Sequence, residues 1–193
     1  MKQSEVIAIL KRNIQDQLER VEAFSRLGEA ALSSNPDKDS WNALQCLEHL
    51  NRYAEFYLME IEEKTKSKTP INKAQETRMK MEDLEFQPGF WGAKFIKSML
   101  ADQNGKIKKM NTFKSKNPSL QEAKRDSLVR FLAYQEKWLS ILDRAKAFDL
   151  NRNKCSLTIP IIKMNLGATL QFVIAHQERH VNQAERALSV VKP

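Results

Sequence analysis

From Leu166 to Val191 the inward positions climb in alternating steps of four and three: Leu166, Leu170, Val173, Gln177, His180, Ala184, Ala187 and Val191. That spacing seats a helix against other helices in a bundle. Three further stretches carry helical apolar spacing, and with only 5 glycines and 6 prolines in 193 residues little interrupts them. The first, about Ser4 to Leu32, places Ile7, Leu10, Ile14, Leu18, Val21 and Phe24 near one face and ends before Pro36. The second should start at an Asp39 or Ser40 cap and run to about Lys64. It has two adjacent stripes, Leu47, Leu50, Ala54, Tyr57 and Ile61 beside Cys46, His49, Tyr53 and Phe56, so burial on more than one side is expected. The third follows Pro118, where Ser119 and Glu122 have capping-box spacing, and would bury Leu128, Phe131, Leu132, Trp138, Leu139 and Leu142.

More than 50 residues separate the second and third segments. A connection that long can carry the chain along the whole bundle, leaving those two helices parallel. Its aromatic stretch, with Phe86, Phe90, Trp91 and Phe95, is expected to dock on the bundle, with a turn at Pro88 and Gly89 and a short helix from Gly92 to Leu100. A second long connection spans Phe148 to Asn165. The expected fold is therefore all-α, a four-helix bundle with a long crossover between helices 2 and 3, forming a single domain over residues 1–193.

The net charge of +8 is unevenly spread: −5 over residues 1–63, +9 over 64–125 and +4 over 126–193. A basic middle can contact an acidic partner or nucleic acid. Its lysines lack aromatic interleaving and any recognition motif, so a solvated connection is expected and nucleic-acid binding is not. No apolar run approaches the ~18 residues that span a bilayer, so no membrane association is expected. The opening MKQSEVIAIL makes a poor signal peptide, and a cytoplasmic location follows as the expectation. Cys46 and Cys155 have no metal-type spacing and are expected to be free thiols.

Only three histidines occur. His176 and His180 stand four apart on the last helix, where two imidazoles can converge on one cation. The pair alone also fits two polar residues on a helix surface. However, His180 lies on the inward stepping pattern with His176 beside it, and His49 lies on a buried stripe of the second helix. Burying imidazoles without partners is costly, so a shared ligand is an economical account.

The stretches SWNALQCLEHLNRYAEFY and NLGATLQFVIAHQERHVNQAERAL resemble the DinB/YfiT-like superfamily of metalloenzymes. Trp41, His49, His176, His180 and Gln183 fall on positions of its motifs, and the helix layout with its long crossing also matches. The resemblance implies a divalent metal, zinc or nickel foremost, held by His49, His176 and His180. Three protein ligands leave a position open for water or substrate, as in catalytic zinc. It further implies hydrolysis, or S-transfer from a low-molecular-weight thiol, as candidate activities on a small-molecule substrate. Gln183 is a candidate hydrogen-bond partner of a ligand or a bundle-face residue. Tyr53 could donate to substrate or fill the core. Glu48 and Glu178 each adjoin a ligand in sequence, but helix neighbours point about 100° apart, so neither is expected to be catalytic. The contrasting expectation is a non-enzymatic metal-binding bundle, with the broad apolar arc of helix 2 serving a homodimer.

Overall fold

The computed structural model describes residues 1–66, 83–100, 116–159 and 161–190. Six helices and one hairpin occur among them: α1 (Gln3–Glu22), α2 (Glu29–Ser33), α3 (Ala43–Lys64), α4 (Gly89–Met99), α5 (Arg125–Ala145), β1 (Lys154–Ser156), β2 (Lys163–Asn165) and α6 (Leu166–Val190). The long helices α1, α3, α5 and α6 make the expected four-helix bundle. No helix among the described residues is long and apolar enough to cross a membrane.

Ion pairs and hydrogen bonds give the helix directions. Between α3 and α5, Ser127 Oγ donates to Glu48 at 2.7 Å, Arg130 reaches Glu55 at 3.2 Å and Arg144 reaches Glu62 at 3.2 Å. Both residue numbers rise together, so these helices are parallel. Likewise Gln17 Nε2 donates to the Ile174 carbonyl and Arg20 to Glu185, which makes α1 and α6 parallel. His49 meets His176 while Tyr57 meets Phe172, so α3 and α6 run antiparallel. The parallel α3–α5 pair is what the long crossover predicted. Most of the lysine-rich part of that crossover lies outside the described residues.

Two boundaries differ from the sequence expectation. The first helical stretch breaks early: a 3₁₀ turn over Ala23–Arg26 buries Phe24, and Leu27 and Gly28 are extended before the short α2 buries Leu32. α3 is capped by Asn42 rather than by Asp39 or Ser40. Asn42 Oδ1 accepts from the Gln45 amide at 2.8 Å, and Gln45 Oε1 accepts from the Asn42 amide at 3.2 Å. Asp37 instead takes Ser40 Oγ and the Asp39 amide into a turn. The later cap matters for the site, because it leaves Trp41 outside the helix and able to fold over it. The Ser119–Glu122 pairing does form, at 2.6 Å, but as a turn ahead of α5, which begins at Arg125.

The second long connection contains a feature the all-α expectation did not include, the antiparallel β1–β2 hairpin with Cys155 opposite Met164. At its tip Ile161 is fully exposed and has φ +73°. A β-branched residue in that left-handed region is strained, and here no packing repays it. Replacing Ile161 with glycine is therefore expected to stabilise the protein by about 1 kcal/mol, read as a raised denaturant midpoint.

The core forms two buried clusters, one around Tyr57, Trp138 and Phe172 and one around Leu47, Phe131 and Val181. The two stripes of α3 are mostly covered within the chain: Cys46 and His49 are buried as fully as Leu47 and Ile61, Tyr53 is slightly less buried, and Phe56 stays partly exposed. The crossover aromatics divide. Phe86 is buried and Phe95 packs against the core, whereas Phe90 and Trp91 are 76% and 50% exposed, so only half of the expected docking occurs. α4 sits close on α6 because Gly92 has no Cβ; one built there would stand 2.6 Å from that of Ala168.

Candidate metal centre

α3 and α6 bring the three histidines together. His49, His176 and His180 each offer one ring nitrogen, and these nitrogens lie within 4.8 Å of one another. No cysteine or carboxylate joins the group among the described residues. His176 and His180, one turn apart on α6, are 7% and 8% exposed; His49, facing them from α3, is 1% exposed.

Two hydrogen bonds determine which nitrogen faces the shared point. His49 Nδ1 lies 2.7 Å from the Lys116 carbonyl, and His180 Nδ1 lies 2.9 Å from Gln183 Oε1. A carbonyl oxygen only accepts, so each Nδ1 carries the proton and each Nε2 keeps a bare lone pair. His49 Nε2 and His176 Nε2 stand 3.2 Å apart. Two nitrogens bound at zinc distances in a tetrahedral site are about 3.3–3.4 Å apart, so the pair is already at ligand spacing. In the metal-free protein, His176 can donate its Nε2 proton across this gap to His49. A cation would require the other tautomer of His176. The donor set fits a borderline divalent ion such as zinc or nickel.

The electrostatics agree. Burial is the largest cause lowering all three imidazoles. It takes His49 down to about 4 against the partial support of the Lys116 carbonyl, and Arg52, Lys116 and Arg179 push further the same way. His176 is held well below the ordinary range by burial and by His180, His49 and Arg179, and His180 by burial and by His49, Arg179 and Arg186. Three imidazoles neutral at physiological pH are three ligands that need lose no proton to bind a metal.

Aromatic rings wall the centre. Trp41 lies 5.0 Å from the His49 ring and 5.9 Å from that of His180. Tyr53 lies 4.9 Å from His49 and 4.7 Å from His176, and Phe172 stacks on His176 at 6.1 Å. Tyr53 is therefore both a wall of the site and a core residue; burial raises its phenol pKa, so the hydroxyl keeps its proton. Of the two placements open to Gln183, the structure has it beside the His180 ring, its Oε1 2.9 Å from Nδ1. Losing that oxygen in Gln183→Leu frees the His180 ring and is expected to weaken metal affinity 10–100-fold, measured by competition with a chromophoric chelator.

The carboxylates beside the ligands serve the bundle. Glu48 accepts from Ser127 and Arg130 on α5 and pairs with Arg52. Glu178 binds Arg20 and Gln17 on α1. Both cysteines are buried free thiols, pushed up by desolvation to about 12 for Cys46 and about 11 for Cys155, so neither is a nucleophile at neutral pH. Lys116 was not legible beforehand, since its contribution is a backbone carbonyl. Phe172 had a signal that went unread, its position one helical turn before His176.

Four long helices, some parallel and some antiparallel, with three inward histidines on two of them, define a helical bundle around a histidine cluster that could hold a metal ion. The chain belongs to the DinB superfamily, whose sequence model matches residues 10–184. Neither the curated proteins nor the solved structures give a significant match.

Proposed function

We propose that the protein is a metal-dependent enzyme that transfers the sulfur of a low-molecular-weight thiol to an electrophilic small molecule. The observation that carries this reading is the donor set: three neutral nitrogens converge, and no fourth protein ligand is present among the described residues. When bound, a divalent cation supplies Lewis acidity, which acidifies an incoming thiol or water. Thiol transfer is favoured over hydrolysis by the placement of the carboxylates. Hydrolysis of a poor leaving group calls for a general acid or base, and Glu48 and Glu178 are committed to ion pairs. A thiol deprotonated at the centre needs no further base. The protein's own groups would hold the ligand imidazoles in their tautomers through Lys116 and Gln183, and exclude water with Trp41, Tyr53 and Phe172. Lys116 and Arg179 would favour an anionic sulfur through their charge.

A second reading rests on the near-complete burial of the histidines, which suits a structural metal in a non-enzymatic, stress-related dimer. Two measurements separate them. Elemental analysis of untagged protein should find close to one zinc or nickel per chain; none would end both readings. Transfer of several small thiols to a chromogenic electrophile, and hydrolysis of activated esters, should then be assayed beside His176→Ala. Thiol turnover that His176→Ala abolishes supports the enzyme. Metal without turnover or any thiol response leaves the structural reading.

A further inference from the structure

Where the long crossover returns to the bundle, three consecutive carbonyls are held by side chains of α3. His49 Nδ1 donates to the Lys116 carbonyl at 2.7 Å, Arg52 Nη1 to that of Asn117 at 3.4 Å and Gln45 Nε2 to that of Pro118 at 3.2 Å. Gln45, His49 and Arg52 stand four and three residues apart, so one face of the helix offers all three donors. The return reciprocates. Lys116 Nζ donates to the Arg52 carbonyl at 2.7 Å, with its ammonium 5.6 Å from the centre of the Tyr53 ring, and Pro118 is buried. Just beyond, Glu122 pairs with Arg52 from the turn ahead of α5.

All of these holds are made by side chains, so the return can lift while α3 keeps its own backbone hydrogen bonds. One of the three donors is also a proposed metal ligand. With the return seated, the Lys116 carbonyl keeps the proton on His49 Nδ1 and leaves Nε2 bare toward His176. With the return lifted, that partner is gone, and either ring nitrogen can carry the proton. A partner of this kind is worth about 10–100-fold in metal affinity. Linkage is reciprocal: the factor by which the seated return favours metal is the factor by which metal favours the seated return.

We infer that residues 116–118 are a metal-set latch: an occupied centre holds the crossover's return against α3, and an emptied centre loosens it. This rests on the metal-centre reading above. It adds to that reading a conformational output, carried from the buried histidines to the crossover through one backbone carbonyl.

The bond after Lys116 is a tryptic site inside the latch, and Lys66, exposed just beyond α3, is another at the far end of the crossover. Full-length untagged protein is digested with and without one equivalent of zinc, and mass spectrometry reads the fragments. Trypsin is kept where cleavage is proportional to its concentration and so follows the open population. Zinc should slow cleavage after Lys116 by about 10–100-fold and leave cleavage after Lys66 unchanged. In Arg52→Met, which loses the Asn117 contact but no proposed ligand, cleavage after Lys116 should run about five-fold faster with and without zinc. In His176→Ala the protection should vanish. Zinc binding is followed separately by chelator competition. Binding without selective protection of Lys116 overturns the latch alone, whether both sites slow together or neither does. An Arg52→Met variant cleaved no faster than the wild type overturns it too. No zinc binding ends the metal-centre reading and the latch with it.

Discussion

His49→Ala is expected to strip the metal while leaving the bundle folded. Four-ligand structural zinc sites gain roughly 10–16 kcal/mol on binding, so one ligand's share is roughly 3–4 kcal/mol. Losing it should weaken affinity by about two to three orders of magnitude. The variant should therefore release its metal during dialysis against a moderate chelator that the wild type withstands. Folding is affected separately. His49 is almost fully buried and donates to the Lys116 carbonyl, so alanine leaves that acceptor unpaired beside a new cavity, a loss of about 1–3 kcal/mol. That is within the margin of an ordinary domain. His176→Ala is the informative companion: it removes a ligand from the other helix without orphaning that carbonyl. Elemental content and thermal melts of the two variants check both parts. Full metal retention in His49→Ala would show that the ligands lie elsewhere.

The four long helices and the parallel course of α3 and α5 were legible because both follow from periodicity and connection length. Three- and four-residue steps can be read off Leu166 to Ala187, and a crossing of more than 50 residues leaves room for a return along the bundle. The histidines were legible for the same reason, since each lies on a stripe that faces inward. What sequence alone did not give was local competition between near-equal signals. Asp39, Ser40 and Asn42 are all good caps, and Asn42 prevails where Gln45 can complete the reciprocal pair and Trp41 can cover the imidazoles. The hairpin was hidden because its strands are only three residues each, Lys154–Ser156 and Lys163–Asn165, with little strand patterning, and α3 anchors the first strand and the loop after it through Glu60 and Tyr57. Phe90 and Trp91 read like Phe86 and Phe95 by composition, but only the latter two face α6. The Lys116 carbonyl carries no side-chain signal at all.

The metal-free protein is expected to lose stability steeply as pH falls from neutrality. All three histidines in the chain belong to the centre, so histidine linkage reports on this site alone. Their folded-state pKa values are lowered, His49 to about 4 and the other two well below the usual 6.5. The sign follows from that direction. Above pH 6.5 the imidazoles are neutral in both states and contribute nothing pH-dependent. Below it the unfolded chain takes up protons that the folded protein refuses, so stability falls as pH drops toward the folded values. With three sites the unfolded state binds up to three extra protons, and about 3 kcal/mol should disappear between pH 6.5 and 5.5, above the range where carboxylates titrate. Urea titrations across that interval measure it directly. Saturating zinc should raise the whole curve through its preference for the folded state without flattening the slope, because the liganded imidazoles also refuse protons. In His49→Ala the slope should fall from about three protons to about two. A slope near zero in the wild type would mean that the imidazoles already carry protons in the folded protein, which three convergent buried ligands could not do.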